Sequence, residues 1–182
     1  MLIKRDSMRL AFLIIVLAFT LPGLSQIDTI DKKSFTKHHH YKIEYPATWR
    51  TDTSGVMGTD AVFLAPLENE SDKFSENINI MIQDLTGQNI DLEKYKQITD
   101  KQLADLATEP QVFESLIVKT IDKEYFRVTY AITQNKFRLR ITSICFIKNE
   151  KAYLVTYTAE FDKYDQYKTT AQAILNSFRL TN

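Results

Sequence analysis

The sequence of 182 residues contains a single cysteine, Cys145, so the chain cannot form an internal disulfide bond. The stability of the fold must therefore come from packing and hydrogen bonding instead of covalent cross-links. Cys145 falls on the apolar face of a predicted strand. We interpret it as a small buried hydrophobic residue, with a reactive thiol as the alternative.

Residues typical of catalytic sites are also scarce. The three histidines are consecutive, and the four glycines form neither a Gly-x-Ser-x-Gly motif nor a phosphate-binding loop. Asp84 and Asp91 flank a predicted loop, but acidic residues are common there because they cap helices. We therefore predict that the chain is not an enzyme and that it needs no cofactor.

The chain has no excess of either charge, since 23 lysines and arginines balance 23 aspartates and glutamates. Proteins that bind nucleic acids normally carry a clear basic excess or a basic stripe. The balance of charges therefore argues against a nucleic-acid partner.

The N-terminal segment has the pattern of a secretory signal peptide. The basic residues Lys4, Arg5 and Arg9 precede an apolar run at residues 10–21, and the small residues Gly23 and Ser25 follow it. The run of about 12 residues is shorter than the roughly 20 that cross a bilayer, and no cysteine lies directly after it to carry a lipid at a new N-terminus. We predict a signal peptide over residues 1–25, export to the periplasm or the medium, and no stable membrane insertion after cleavage.

The clearest structural pattern lies in residues 123–178, which predict three antiparallel strands followed by an amphipathic helix. A turn at Asn135-Lys136 places Ile132 opposite Leu139 and creates an apolar face. A second turn at Asn149-Glu150 continues that face into the third strand. Apolar residues occur on both sides of these strands, so both sides need cover.

Alternating apolar residues elsewhere predict further strands, and two amphipathic stretches predict helices capped by Asp91 and Asp162. The additional strands are expected at residues 38–45, 61–65, 77–83 and 111–119. The predicted fold class is α+β, an antiparallel six- to seven-stranded sheet sandwiched by helices. The predicted domain organisation is a flexible leader at residues 26–37 and a single domain at residues 38–182.

Two segments resemble a known family. In the first segment a predicted strand runs into Tyr-Pro and is followed by a Trp three residues after the Pro, in the run Tyr41-Lys42-Ile43-Glu44-Tyr45-Pro46-Ala47-Thr48-Trp49. In the second, residues 174–179 end the last predicted helix with Ser-Phe. These segments resemble the PsbP-like superfamily, which includes the extrinsic PsbP subunit of photosystem II and bacterial DcrB-type proteins. The resemblance implies an antiparallel sheet between helices and a role as accessory subunit, assembly factor or binding module. Its motifs are structural and assign no metal or partner residue.

The histidine triplet is the first candidate site. In an extended chain His38 and His40 share one face with Glu44, an arrangement that suits a zinc or copper ion. No fourth ligand follows at a recognisable spacing, and adjacent histidines at a strand edge are usually solvated. The candidate metal site at His38 and His40 therefore stands beside the solvated alternative.

Three arginines form the second candidate site. Arg127, Arg138 and Arg140 fall on one face of the predicted strands, where guanidinium groups could bind a carboxylate or phosphate through paired hydrogen bonds. The alternative is that they pair with carboxylates such as Glu124 and Glu160, or extend into water.

The sequence by itself specifies no activity. The leading hypothesis is an exported, monomeric, non-enzymatic accessory domain whose partner is an unknown protein of the cell envelope. We expect the contact surface at the acidic loop of residues 67–77 and at the strand edge in residues 38–49. The alternative is a periplasmic protein that binds a small ligand, an anion or a metal.

Overall fold

The computed structural model describes residues 31–37, 40–106 and 110–181, so the predicted signal peptide lies outside the described residues. The described chain forms ten strands and two α-helices. In chain order these are β1 Lys32–Lys37, β2 Tyr41–Pro46, β3 Arg50–Asp52, β4 Ala61–Leu64, β5 Asn77–Asp84, α1 Leu92–Ala104, β6 Gln111–Lys119, β7 Glu124–Gln134, β8 Phe137–Lys148, β9 Lys151–Glu160, α2 Tyr164–Ser177 and β10 Arg179–Leu180. Neither of these helices is long and apolar enough to span a bilayer.

Seven strands form one antiparallel sheet in the order β3-β4-β5-β9-β8-β7-β6, and β2 lies between β1 and β10 in a smaller sheet. In the large sheet Ile132 lies opposite Leu139, as predicted, and Ile144 lies opposite Val155. The α+β fold class and the predicted strand number of the large sheet are confirmed.

The two hairpin turns fix this register. Asn135, Asn149 and Glu150 adopt φ angles of 54°, 51° and 55°. Asparagine tolerates this left-handed conformation because its short polar side chain can bond to the local backbone. The turns therefore stay tight even though neither contains a glycine.

Helix α1 covers one face of the large sheet. The Asp91 side chain caps it by accepting a hydrogen bond from the Lys94 N–H at 2.8 Å, as predicted. The helix packs against β6, β7 and β8. Tyr95 and Leu103 of α1 join the buried residues of these strands, Cys145 among them, in one apolar core.

Helix α2 and the smaller sheet cover the opposite face, where α2 packs against β2 and β9. The buried ring of Tyr41 stacks on that of Phe178, with centroids 5.3 Å apart. Trp49 is buried in the same cluster. In the described part of the chain, α1 on one side and α2 with the smaller sheet on the other thus enclose a large sheet that is apolar on both faces.

Three expectations about the elements were wrong. Residues 32–37 are not a flexible leader, because they pair along their whole length with β2. The strand shows no apolar alternation, since Phe35 is the only one of its side chains that is partly buried. The strand that contains Tyr41 belongs to the smaller sheet, and β3 takes the seventh place in the large one. Helix α2 begins after Lys163, which makes no side-chain cap, so Asp162 is not the capping residue.

Candidate functional site

A cleft of about 380 Å³ lies between α2 and strands β6 to β9, on the α2 side of the large sheet. Alternation along β7 and β8 brings its side chains together, since Thr129 pairs with Thr142 across the two strands. We call it the arginine cleft. It is lined by Phe113, Glu114, Arg127, Thr129, Arg140, Thr142, Tyr157, Tyr164, Lys168 and Gln172.

One buried donor of Arg140 has no hydrogen-bond partner among the described residues. Its guanidinium carbon lies 4.4 Å from the centroid of the Phe113 ring and 4.2 Å from that of Tyr164, so cation–π contacts hold the group in place. Its Nε atom is buried and has no hydrogen-bond partner within the described ranges. An unsatisfied buried donor is costly, and a bound anion would satisfy it.

Arg127 is already engaged. Its Nε atom donates to Oε1 of Glu114 at 2.5 Å and its Nη2 atom to Oε2 at 2.9 Å, a paired arrangement that raises the pKa of Arg127. The pair is electrically neutral. Arg127 therefore shapes the wall of the cleft without offering a free charge.

A chain of hydroxyl groups forms the neutral part of the cleft. The Thr142 hydroxyl lies 2.9 Å from that of Thr129 and 2.6 Å from that of Tyr164. The Tyr157 hydroxyl donates to the main-chain oxygen of Tyr164 at 2.9 Å, and burial raises the pKa of Tyr157. These alcohol and phenol groups supply further hydrogen-bonding atoms along the cleft.

Helix α2 contributes a further positive charge near the opening. Lys168 Nζ lies 3.8 Å from Asp165 Oδ1, and Arg140 Nη1 lies 3.9 Å from Asp165 Oδ2. The Asp165 side chain is 73% exposed, so both ion pairs are weak and screened by water. A stronger anionic ligand could replace these contacts.

The structure places two of the three predicted arginines in the cleft. Arg138 places its guanidinium carbon 3.9 Å from the Phe161 ring centroid and does not line the cleft, which leaves Arg127 and Arg140. Glu114 was missed as the partner of Arg127, because a bulge between Val112 and Glu114 shifts the register of β6. Tyr164, Lys168 and Gln172 were also missed, although their spacing of four residues along α2 places them on one helix face.

The histidine site is described only at one end. His38 lies outside the described residues, and His40 forms a turn whose main-chain oxygen accepts a hydrogen bond from Thr181 N–H at 3.0 Å. The described part of the chain contains no group of three His, Cys, Asp or Glu residues arranged to hold a metal. The metal site at His38 and His40 stays a prediction.

The surface expected to receive a partner has internal contacts of its own. In the acidic loop, Asp72 and Glu68 form ion pairs with Lys163, at 2.9 and 3.4 Å. Strand β2 has β1 along one edge, and on the other its Glu44 N–H donates to the Ser177 hydroxyl at 2.9 Å. These contacts offset part of the negative charge of the loop and fill much of the strand edge.

Comparisons with solved structures show the same fold at low sequence identity. CyanoP, the cyanobacterial PsbP of Synechocystis sp. PCC 6803, has a TM-score of 0.63 and 14% identity, with 88% of this chain and 99% of that chain covered. LpqN of Mycobacterium tuberculosis, described as involved in cell envelope biogenesis, has a TM-score of 0.61 and 14% identity over 85% of this chain and 93% of that chain.

No curated protein matches the sequence. The model of the PsbP family does match it, over residues 32–180. This match includes every strand and helix described above. The chain belongs to the PsbP family.

Proposed function

We propose that this chain is an exported, non-enzymatic binding domain that acts as an accessory protein of the cell envelope and holds an anionic group of its ligand in the arginine cleft. The observation that carries the proposal is the buried Nε atom of Arg140, which has no hydrogen-bond partner in the described part of the chain although its guanidinium lines the cleft. Aromatic contacts fix the position of that guanidinium before a ligand arrives, which lowers the entropic cost of binding.

Two observations support export and an envelope role. The basic residues, short apolar run and small residues at the N-terminus follow the order of a secretory signal. LpqN, which shares the fold, is described as involved in cell envelope biogenesis.

A non-enzymatic role is supported by the chemistry of the cleft. Its lining carboxylate, Glu114, is held by Arg127 through two hydrogen bonds and is not free to act as a general base. The remaining polar lining consists of cations, hydroxyls and an amide, which suit recognition of an anion. Cys145, the one thiol, is buried in the core on the α1 side of the sheet.

Anion titrations test the binding proposal. Acetate, phenylacetate, inorganic phosphate and phenyl phosphate are titrated into the purified protein, with amide chemical shifts as the readout. We expect saturable shifts at cleft residues that disappear in Arg140→Met and remain in Arg138→Met, whose arginine lies on the same strand outside the cleft. If no anion gives Arg140-dependent shifts, the cleft is not an anion site.

Cell fractionation tests export separately. The full-length chain, expressed in a Gram-negative host, should appear in the periplasm or medium with a new N-terminus at Gln26. Replacing the apolar run with polar residues should retain the protein in the cytoplasm. A chain that keeps Met1 and stays in the cytoplasm would contradict export.

A further inference from the structure

The charges around Arg140 limit the charge of its ligand. The cleft and its opening hold three cations, Arg127, Arg140 and Lys168, and two carboxylates, Glu114 and Asp165. One positive charge is therefore in excess. A ligand with a single negative charge balances it, whereas a doubly charged phosphate would leave a negative excess beside Glu114.

The donors of Arg140 favour a flat acceptor. The unpaired Nε atom and a neighbouring Nη group point in one plane and match the two oxygens of a carboxylate. Arg127 shows the same geometry within this cleft, since its Nε and Nη2 atoms hold the two oxygens of Glu114. The cleft thus already contains one arginine held by a carboxylate through two hydrogen bonds, and a second, Arg140, whose ion pair with the exposed Asp165 is loose at 3.9 Å.

The size and the apolar wall of the cleft indicate a ligand larger than a carboxylate group alone. A volume of about 380 Å³ falls within the usual range for small-molecule sites, and it exceeds what an acetate ion fills. Phe113 is 41% exposed although it is a large apolar side chain, and it forms one wall. An apolar or aromatic group on the ligand would cover that ring.

We infer that the arginine cleft binds a carboxylate attached to an apolar or aromatic body and prefers it to a phosphate. The inference rests on the proposed function, because it names the ligand class of the same site. Arg140 binds the carboxylate through its Nε and Nη groups, Lys168 adds charge at the opening, and Phe113 contacts the body of the ligand. Such a carboxylate can come from a free organic acid or from the C-terminus of a partner protein that ends in an apolar residue.

Matched probes separate these features in titrations of the purified protein. Phenylacetate carries the carboxylate and the ring, phenylacetamide lacks the charge, acetate lacks the ring, and phenyl phosphate carries a second negative charge. We expect phenylacetate to bind at least about tenfold more tightly than each of the others, since each loses a contact or adds repulsion. N-acetyl-alanyl-phenylalanine and its C-terminal amide form a second pair. Tighter binding of the peptide acid than of phenylacetate indicates a chain terminus as the source, and weaker binding indicates a free acid.

Two variants keep the test decisive. Arg140→Met should abolish phenylacetate binding, and Arg138→Met should leave it unchanged. If Arg140→Met fails to fold, as judged by circular dichroism, Arg140→Lys keeps the charge without the planar pair of donors and should weaken binding by about tenfold or more. If phenyl phosphate binds as tightly as phenylacetate and the binding depends on Arg140, the preference for a carboxylate is wrong but anion binding stands. If phenylacetamide binds as tightly, the cleft binds the ring without need of a charge, and this inference is overturned. Loss of every Arg140-dependent signal would overturn the proposed function itself.

Discussion

The Nζ atom of Lys163 lies 2.9 Å from Oδ2 of Asp72, although 91 positions separate the two residues in the chain. The Asp72 side chain is 2% exposed, so its charge depends on this partner. Lys163 also lies 3.4 Å from a Glu68 carboxylate oxygen and 3.5 Å from one of Glu160. Lys163 thus links the acidic loop to the start of α2.

Replacing Lys163 with methionine should destabilise the fold by about 2 kcal/mol, because it leaves the buried Asp72 carboxylate without a counter-charge. Urea denaturation at neutral pH measures the change in unfolding free energy. Lys101→Met is the matched control, since Lys101 pairs with Asp105 at 3.0 Å on the surface and should cost less than about 0.5 kcal/mol. Equal losses in the two variants would contradict the bridging role of Lys163.

Glu76 makes stability depend on pH. Its side chain is fully buried, and its Oε2 atom has no hydrogen-bond partner among the residues described. Burial raises the pKa of Glu76 from 4.5 to about 7, and the positive charge of Lys163 only partly opposes this shift. The nearby groups are Lys163, Asp72, Tyr157 and Tyr167.

Between pH 4.5 and about 7 the folded chain should hold a proton on Glu76 that the unfolded chain has lost. Stability should therefore fall as the pH rises through this window, by up to about 1.4 kcal/mol per pH unit from this group. Glu76→Gln cannot ionise and should be more stable than the parent at pH 8, with little difference at pH 4. Denaturation curves across this range measure the difference, and parallel pH profiles for the two proteins would rule out the role of Glu76.

The sequence predicted those parts of the fold that depend on local patterns. The pairing of Ile132 with Leu139 follows from alternation and from an asparagine at the turn. The Asp91 cap follows from the residue type at the start of an apolar period. Strand β1 could not be recognised, because an edge strand with little buried surface needs no apolar alternation.

The site was predictable only in part, since periodicity assigns side chains to faces but not to partners. It placed Arg127 and Arg140 on one face of the sheet, and the structure shows that α2 lies over that face. It did not show that Glu114 binds Arg127, because the β6 bulge decides that contact. The free donor of Arg140 depends on the packing of Phe113 and Tyr164 from two distant elements, which no local pattern encodes.

Cys145 should react with thiol reagents only when the protein unfolds. The residue is 2% exposed, and burial raises the pKa of its thiol well above the usual value, so little reactive thiolate forms. Labelling with Ellman's reagent should be negligible over minutes in native buffer and complete in concentrated urea. Rapid stoichiometric labelling of the native protein would show that the α1 side of the sheet opens.

Removing the carboxylate of the arginine cleft should strengthen anion binding. Glu114→Gln deletes the negative charge that neutralises Arg127 and replaces one of the two acceptor oxygens with an amide NH2 that cannot accept from the arginine. We expect the affinity for phenylacetate to rise by about fivefold at low ionic strength, and that for phenyl phosphate to rise more because it carries a larger charge.

Calorimetric titration of both anions at low and physiological salt measures these gains, which should shrink as salt screens the added charge. Glu124→Gln makes the same change in net charge at a glutamate that pairs with Lys119 at 2.8 Å and does not line the cleft, so its effect should be much smaller. Equal gains in the two variants would mean that overall charge, and not the pairing of Arg127 with Glu114, governs the affinity. Unchanged binding in Glu114→Gln would place the anion outside the cleft, because no site lined by both arginines could lose that carboxylate without responding.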